Sequence, residues 1–282
     1  MLVLLSLLIP IVLSDNCRNI HYEGEGVKHY QDTFGHDRLI LIGDIHSDID
    51  ALKKIIRLTG AKASDTVVLL GDTIGRGDHT IDTLNYIMSA PNIVHILGNH
   101  EQFQIDTRYY YVTEADNDEF GGIENRMKAF SKGGKYYEYL ARQPVVAQIG
   151  DLTLVHAGIN KNLAKKYPNI EDINKLLNES EIYGNSGPLW YRAYGVWQDG
   201  AACPEIAEAL TYLKSKFMIM GHTLFPSITT RCKGKGVFID TGISRSYNSS
   251  LSALEVIQSQ GRTLQMRAFY PTSIKIIYSS FE

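Results

Sequence analysis

Three apolar runs, each followed within a few residues by a glycine and a polar side chain, constrain the fold of this 282-residue chain most. The runs are Leu39–Ile42, Thr66–Leu70 and Asn92–Leu97. Between them, residues 48–58 and 79–88 repeat apolar side chains at helical spacing. Buried strands that alternate with helices are typical of a mostly parallel sheet, so this part of the chain predicts an α/β fold.

The second half of the chain is richer in predicted strands. Residues 144–149 and 152–155 flank Gly150 and Asp151, a pattern typical of a β-hairpin. Further strands are predicted over 217–220, 236–239, 254–257 and 264–268, with helices over 171–178 and 204–214. Pro204 suits the first turn of the second helix. The polar, tyrosine-rich residues 103–140 lack strand patterning, and we expect a helical insertion within one domain over residues 15–282.

Side chains that bind metals or phosphate follow one predicted strand after another. They are Asp44 and His46, then Asp72 and Arg76, then Asn99, His100 and Glu101, and after two later strands His156 and His222. Because the carboxyl ends of strands in an open α/β sheet meet at one crevice, we expect these residues to converge. Any one motif alone is often structural, but five in chain order indicate function. His79, His95 and the run Tyr109–Tyr111 belong to none of them, and we interpret these residues as structural.

The converging set suits two metal ions about 4 Å apart. Its members are Asp44, His46, Asp72, Asn99, His156 and His222. Carboxylate and imidazole ligands favour Mn, Fe or Zn over Ca. Asp72 would bridge the two ions, and a hydroxide bridged by the same ions would attack a phosphomonoester. Arg76 offers a planar fork for phosphate oxygens, and His100 is free to donate a proton to the leaving oxygen.

These motifs resemble the calcineurin-like metallophosphoesterases, and within them the phosphoprotein phosphatase branch. Residues 187–192 are similar to a segment of the Shewanella-like protein phosphatases. The chain also lacks the C-terminal Ser-Ala-Pro-Asn-Tyr motif of the common eukaryotic Ser/Thr phosphatases and has residues 239–243 in that region, which is a second point of similarity to this subgroup. The resemblance spans about residues 39–242 and implies a central β-sandwich flanked by helices on both sides.

The resemblance also implies a role for each site residue. One metal would be held by Asp44, His46 and Asp72, and the other by Asp72, Asn99, His156 and His222. The phosphate would be bound by Arg76, Asn99 and Arg192, with His100 as the general acid. Members of the family remove phosphate from phosphoserine, phosphothreonine or phosphotyrosine, so a phosphorylated protein or peptide is the expected substrate.

Two positions depart from the family pattern. Ser47 stands where the first motif has glycine, which is expected to alter turn strain. Gly75 stands where the second motif has an aspartate that orients the general-acid histidine. Unless Asp48 or Asp78 substitutes, His100 loses a fixed orientation, and reduced or altered turnover is expected. The change Gly75→Asp would test this explanation.

Two other functions share parts of this pattern. The same dimetal chemistry could act on a small molecule or a dinucleoside polyphosphate. A non-enzymatic phosphate-binding module is a further alternative suggested by Gly75, although all six predicted ligands are intact. Between protein substrates, a weakened general acid favours phosphotyrosine, because its leaving group needs less protonation.

The first 14 residues are apolar and carry no charged side chain, which predicts a signal peptide and a secretory or extracellular location. An uncleaved membrane anchor is the alternative, and no stable membrane span is expected once the signal is removed. Of Cys17, Cys203 and Cys232, two could pair, or all three could remain free thiols. The formal net charge of -3 gives no electrostatic indication of nucleic-acid binding.

Overall fold

The computed structural model describes residues 37–177, 179–247 and 250–281, and the backbone of residues 21 and 22. Two mixed sheets of six strands each are formed by these residues. The first has the order β1 (His21–Tyr22), β5 (Val146–Ile149), β6 (Leu152–Val155), β7 (Phe217–Met220), β9 (Gly236–Phe238), β8 (Thr229–Arg231). The second has the order β12 (Ser273–Ser279), β11 (Arg262–Tyr270), β10 (Ala253–Ser259), β2 (Asp37–Ile42), β3 (Thr66–Leu69), β4 (Ile93–His95). Strands β2, β3 and β4 are parallel neighbours, as the alternation of strands and helices predicts.

The two sheets pack face to face because their strands alternate side chains between opposite faces. Leu39 and Leu41 of β2 point into a core shared with Leu154 of β6 and Ile219 of β7. The intervening Ile40 and other residues of the opposite face pack outward against α1 (Ile49–Thr59) and α2 (Thr80–Ser89).

A third core covers the outer face of the first sheet. Leu84 of α2 also contributes to it. The remaining helices lie in or beside this core: α3 (Asn99–Ile105), α4 (Glu114–Glu119), α5 (Ile123–Ala129), α6 (Lys135–Leu140), α7 (Lys161–Lys166), α8 (Ile170–Lys175), α9 (Ser180–Tyr183), α10 (Ala193–Val196) and α11 (Asp199–Tyr212). The predicted β-sandwich flanked by helices on both sides is therefore confirmed. Residues 103–140 contain the end of α3 and all of α4, α5 and α6.

The structure differs from the sequence prediction at several elements, among them the short helices α7, α9 and α10, which were not predicted. Helix α11 begins at Asp199, so Pro204 lies inside it rather than in its first turn. Arg231 forms an ion pair with Asp199 and holds the additional first turn in place. Strands β8 and β12 were not predicted, because β8 has only three residues and four of the seven residues of β12 are exposed.

A disulfide joins Cys203 of α11 to Cys232, which directly follows β8. Cys17 and the predicted signal peptide, residues 1–14, lie outside the described residues. Within the described part of the chain, no helix combines the length and apolar character needed to cross a membrane.

Candidate metal centre and phosphate-binding rim

Asp72, in the loop after β3, lies at the junction of two groups of metal-binding side chains. His46, Asp72 and His100 form one group, and Asp72, His156 and His222 form the other. Within each group the donor atoms lie within 4.8 Å of one another, and every member is buried. The strand ends thus bring together the side chains that the sequence predicts to converge, with one carboxylate shared by both groups.

The donor atoms around His156 face a common point. Its Nε2 lies 3.0 Å from Asn99 Oδ1, 3.1 Å from His222 Nδ1 and 3.4 Å from Asp72 Oδ1. Its Nδ1 donates to the Leu70 carbonyl oxygen at 2.7 Å. A metal-binding histidine commonly uses its second ring nitrogen in this way, which leaves Nε2 free for the ion. The arrangement therefore fits a metal ligand set.

His222 gives a second sign of this fit. Its Nδ1 is the ring nitrogen that faces the common point, 3.1 Å from His156 Nε2. Burial and the neighbouring His156 lower the pKa of His222 to about 2. Burial also lowers the pKa of His46 to about 3. Both rings are thus neutral, which is the form that binds metals.

The surroundings of Asp72 and Asp44 shift the pKa values of these two carboxylates in opposite directions. His156 and His100 hold the pKa of Asp72 well below its usual range, although burial opposes them. Burial and the nearby Asp240 raise the pKa of Asp44, whose Oδ1 accepts the His222 backbone N–H at 3.1 Å. Asp72 is therefore the permanent anion at the centre, and the charge of Asp44 depends on a cation beside it.

Asp240 was not predicted as a site residue. It is 5% exposed, accepts the Gly242 backbone N–H at 2.9 Å, and burial raises its pKa to about 6. Its position two residues after β9 is the signal that could have found it, because the other site residues also follow strands. Asp240 adds negative charge beside Asp44, which favours bound cations.

Glu101 holds the loop that carries Asp72. Its buried carboxylate accepts backbone N–H groups from Gly98, Asp72 and Thr73 at 2.7–2.8 Å, and from Ile74 at 3.2 Å. It also accepts the Thr73 hydroxyl at 2.9 Å. The sequence places Glu101 after the third strand without showing this role. One carboxylate thus accepts the backbone N–H groups of a turn in which Asp72 adopts a φ of 47°.

The ring of His100 lies directly against Gly75. A Cβ at residue 75 would lie 2.3 Å from His100 Nδ1, and the φ of Gly75 is 81°. Neither proposed substitute reaches the ring: Asp48 is bound to Arg245, and Asp78 is an exposed neighbour of His79. His100 Nδ1 is buried with no partner among the described residues. Consequently Gly75→Asp would displace His100, and it does not simply restore an orienting carboxylate.

Two arginines lie at the rim. Arg76 Nε is buried without a partner among the described residues, and its guanidinium lies 4.3 Å from the centre of the Tyr111 ring. Arg192 is exposed, and its Nη1 donates to the His222 carbonyl oxygen at 2.6 Å. Beside Arg76, a cavity of about 340 Å³ is lined by Tyr111, Val112, Thr113, Ser246 and Tyr247. The rim therefore offers cationic groups next to an aromatic cavity.

The histidines interpreted as structural lie apart from the convergent donors. His95 Nε2 pairs with the Thr73 hydroxyl at 3.1 Å, and its Nδ1 pairs with the Tyr139 hydroxyl at 3.2 Å. His79 precedes α2 and lies beside Asp82 and Glu119. Tyr109 packs against the core, whereas Tyr111 is 51% exposed at the rim.

The sequence model of the calcineurin-like phosphoesterases matches residues 37–226, which include all six convergent donors and both arginines. The chain belongs to this family. The match begins at β2, the first strand that carries site residues at its end. It extends beyond His222, so the family match and the convergent site cover the same part of the chain.

Similar proteins support the predicted resemblance. The chain is 29% identical over 246 residues to Shewanella-like protein phosphatase 1 of Plasmodium berghei, covering 73% of this chain and 67% of that protein. It is 24% identical to a symmetrical bis(5'-nucleosyl)-tetraphosphatase of Vibrio parahaemolyticus, covering 53% of this chain and 59% of that protein. The resemblance to the Shewanella-like phosphatases is confirmed. It covers a larger share of this chain than the match to the tetraphosphatase does.

A solved structure shows the same fold. The crystal structure of a cold-active protein-tyrosine phosphatase from a psychrophilic Shewanella species matches with a TM-score of 0.71. The match covers 86% of this chain and 80% of that chain at 17% sequence identity. The calcineurin-like fold predicted from the motifs is thus also found by comparison of structures.

Proposed function

We propose that this chain is a metal-dependent protein phosphatase that hydrolyses phosphomonoesters on tyrosine, serine or threonine side chains. The observation that carries the proposal is the position of Asp72, a buried carboxylate within 4.8 Å of donor atoms of His46 in one group and of His156 and His222 in the other. The arginines at the rim and the relatives named as protein phosphatases support a phosphoprotein substrate. All members of the predicted ligand set are present, which argues against a module that only binds phosphate.

Each site residue has a distinct task in this proposal. Two ions of Mn, Fe or Zn, when bound, supply a strongly acidified water and neutralise phosphoryl oxygens. The residues that would hold them are Asp44, His46, Asp72, Asn99, His156 and His222. Arg76 and Arg192 bind the phosphate through charge-assisted hydrogen bonds. Asn99, whose Oδ1 faces His156, keeps its amide nitrogen for the phosphate.

His100 holds the proton for the leaving oxygen at Nε2, since its Nδ1 is closed off by Gly75. Burial lowers the pKa of His100, although Asp72 opposes this effect. A histidine with a lowered pKa and no orienting carboxylate is less often protonated and less well oriented, so it is a less effective general acid, and esters with good leaving groups lose least. We therefore propose that phosphotyrosine is preferred over phosphoserine and phosphothreonine.

The test uses the full chain and two phosphopeptides that differ only in carrying phosphotyrosine or phosphoserine. Mn, Fe and Zn are added in turn to the metal-free protein, and phosphate release is measured. We expect activity with at least one metal and several-fold faster release from phosphotyrosine. Asp72→Asn should lower kcat by about 10³-fold or more, a loss of several kcal/mol of metal-dependent stabilisation. Asp78→Asn, at an exposed carboxylate near the site, serves as the matched control.

Three outcomes would contradict the proposal in different ways. Faster release from phosphoserine would overturn the proposed preference alone. Hydrolysis of diadenosine tetraphosphate in preference to both peptides would favour the small-molecule alternative. Absence of bound metal and of activity under all conditions would leave only a binding module.

We further propose that the protein acts in the secretory pathway or outside the cell. The apolar first 14 residues suit a signal peptide, and the disulfide between Cys203 and Cys232 suits an oxidising compartment. Expression with a C-terminal tag in eukaryotic cells would test this proposal. Mature protein that begins near Asp15 in the culture medium would support it, and an intact N-terminus on cytosolic protein would contradict it.

A further inference from the structure

The general-acid candidate His100 has no hydrogen bond that fixes its ring. Its Nδ1 has no partner in the described part of the chain, and its Nε2 lies 3.7 Å from Asp72 Oδ2, which is too long for a hydrogen bond. Its backbone N–H donates to Asp72 Oδ1 at 2.9 Å, which fixes the main chain but not the ring. The orientation of the ring must therefore come from packing.

Aromatic neighbours supply that packing. Tyr111 is stacked on the His100 ring, with the centroids 5.1 Å apart and the planes at 28°. His46 and Phe103 contact the ring edge-on, at 4.7 and 6.2 Å. Because His46 belongs to the metal-binding set and Phe103 is farther away, Tyr111 is the neighbour available to hold the face of the ring.

Tyr111 also holds Arg76. The guanidinium lies over the tyrosine ring at 4.3 Å, and the Arg76 backbone N–H donates to the Tyr111 carbonyl oxygen at 2.8 Å. The φ of Tyr111 is 61°, a conformation that a bulky residue adopts only where its surroundings enforce it. One residue of the helical insertion therefore contacts both the proposed proton donor and a proposed phosphate-binding arginine.

We propose that Tyr111 is a positioning residue that orients His100 and Arg76, in place of the carboxylate that Gly75 cannot supply. The inference rests on the proposed phosphatase function. The tyrosine ring, rather than its hydroxyl, performs the role, because both contacts are made with the ring. Stacking on one face and a cation–π contact on the same tyrosine favour one orientation of the buried His100 ring and one position of the Arg76 guanidinium.

The test compares Tyr111→Leu and Tyr111→Phe with the wild-type protein on two aryl phosphates. Phenyl phosphate has a poor leaving group and needs protonation, whereas p-nitrophenyl phosphate does not. We expect Tyr111→Leu to lower kcat about tenfold or more on phenyl phosphate and about twofold on p-nitrophenyl phosphate, because the acid contributes about 10²–10⁴-fold in general. The KM of Tyr111→Leu should rise for both esters, since Arg76 is no longer held. Tyr111→Phe, which keeps the ring, should preserve the wild-type dependence on the leaving group.

The matched control is Tyr110→Leu. Tyr110 is 59% exposed and packs on Phe103 at 5.1 Å, without a ring contact to His100 or Arg76. A loss in Tyr110→Leu equal to that in Tyr111→Leu would indicate a general effect on the insertion and overturn the proposal. An equal loss of kcat on both esters, or a Tyr111→Phe variant as impaired as Tyr111→Leu, would also overturn it.

A second measurement does not depend on activity. In the metal-free protein labelled with ¹⁵N-histidine, the His100 ring nitrogens can be assigned by their absence in His100→Gln. We expect one sharp pair of signals in wild type and in Tyr111→Phe, and broadened or doubled signals in Tyr111→Leu. Unchanged signals in Tyr111→Leu would reject the positioning role. If the wild-type protein is inactive but gives the expected spectra, the proposed function is rejected, whereas the proposal that Tyr111 orients the His100 ring stands.

Discussion

Ser47 shows how a single residue adjusts to a position that favours glycine. Its φ is 59°, a left-handed conformation that costs a non-glycine residue about 1–2 kcal/mol. Its hydroxyl is 2.8 Å from the Thr80 hydroxyl, at the start of α2, and both residues are buried. The expected change in turn strain is thus accompanied by a new hydrogen bond that ties the His46 loop to a helix.

This hydrogen bond and the strained φ together predict different stabilities for two small substitutions at residue 47. Ser47→Ala keeps the strained φ and loses the bond, so we expect a loss of about 1–2 kcal/mol in the free energy of unfolding. Ser47→Gly loses the bond but relieves the strain, so its stability should stay close to wild type. Urea unfolding of the three proteins measures the difference. Equal stability of the two variants would show that the strain is negligible.

Glu101 predicts a larger effect, because every contact that its carboxylate makes is with a donor. In Glu101→Gln an amide NH₂ must face backbone N–H groups. We expect a loss of about 2–4 kcal/mol in stability and weaker metal binding, since the Asp72 turn is no longer held. Denaturant unfolding and metal titration measure the two effects.

Glu119→Gln is the matched control for this prediction. Its carboxylate accepts only the Ile81 and Asp82 backbone N–H groups at the start of α2, on a half-buried surface. We expect a cost below about 1 kcal/mol and unchanged metal binding. A Glu101→Gln protein that binds metal as tightly as this control would contradict the role given to Glu101.

The convergence of residues that follow a strand could be predicted from the sequence, whereas residues whose role depends on tertiary contacts could not. Asp44, Asp72 and His156 could be predicted because a buried strand fixes where the next side chain lies. Glu101 and Tyr111 act through the loops that they contact, and a single sequence contains no record of which loops meet. Asp240 also follows a strand, so the same pattern covers its position.

Helices and strands could be predicted where a local pattern of apolar residues marks them, and not where they depend on tertiary contacts. Buried strands such as β2 and β3 are continuous apolar runs, and α1 repeats apolar residues on one face. Strand β12 alternates polar and apolar residues from Ser273 to Ile276, but Ile274 and Ile276 are exposed at the edge of the sheet, so the alternation does not mark a buried face. Its pairing with β11 is a tertiary fact that no local pattern in residues 273–279 reports.

The disulfide pairs Cys203 with Cys232, which the sequence alone left open. It joins α11 to the turn between β8 and β9 across 29 residues of chain. Closing a loop of this length removes entropy from the unfolded state, so we expect the double variant Cys203→Ser, Cys232→Ser to lose about 2–4 kcal/mol of stability. Unfolding with and without dithiothreitol measures it. Wild type should respond to the reductant and the double variant should not; equal stability of both oxidised proteins would exclude a stabilising role.

At the scale of the whole molecule, a nearly neutral chain holds a strongly charged centre. The net charge is -3 over 282 residues, yet ionisable side chains are buried at the carboxyl ends of strands from both sheets, among them Asp44, Asp72, Asp240, His46, His156 and His222. The sandwich makes this possible, because each sheet contributes strand ends to the same edge. Neither sheet alone contains the complete set, so metal binding and the joining of the two sheets are expected to be coupled.

That coupling predicts how metal removal and pH act together on stability. Although burial alone would lower the pKa of His156, Asp72 and Asp44 raise it to about 10 in the metal-free protein. A group with a raised pKa stabilises the folded state below its unfolded pKa of about 6.5, and this contribution is lost as pH rises toward 10. The metal-free protein should therefore lose stability between pH 7 and pH 9.

Metal binding has the opposite dependence, because the ion must displace the proton from His156 and binds more tightly as pH rises. At a metal concentration about 100 times Kd the ion adds about 2.7 kcal/mol, or about 5–10 °C in Tm for a chain of this size. We expect the difference in Tm with and without chelator to grow from pH 7 to pH 9. Thermal unfolding of wild type and Asp78→Asn should show this growth, and Asp72→Asn, which lacks the shared carboxylate, should show little difference at either pH. A difference that shrinks toward pH 9 in wild type would mean that no proton leaves the site when the metal binds.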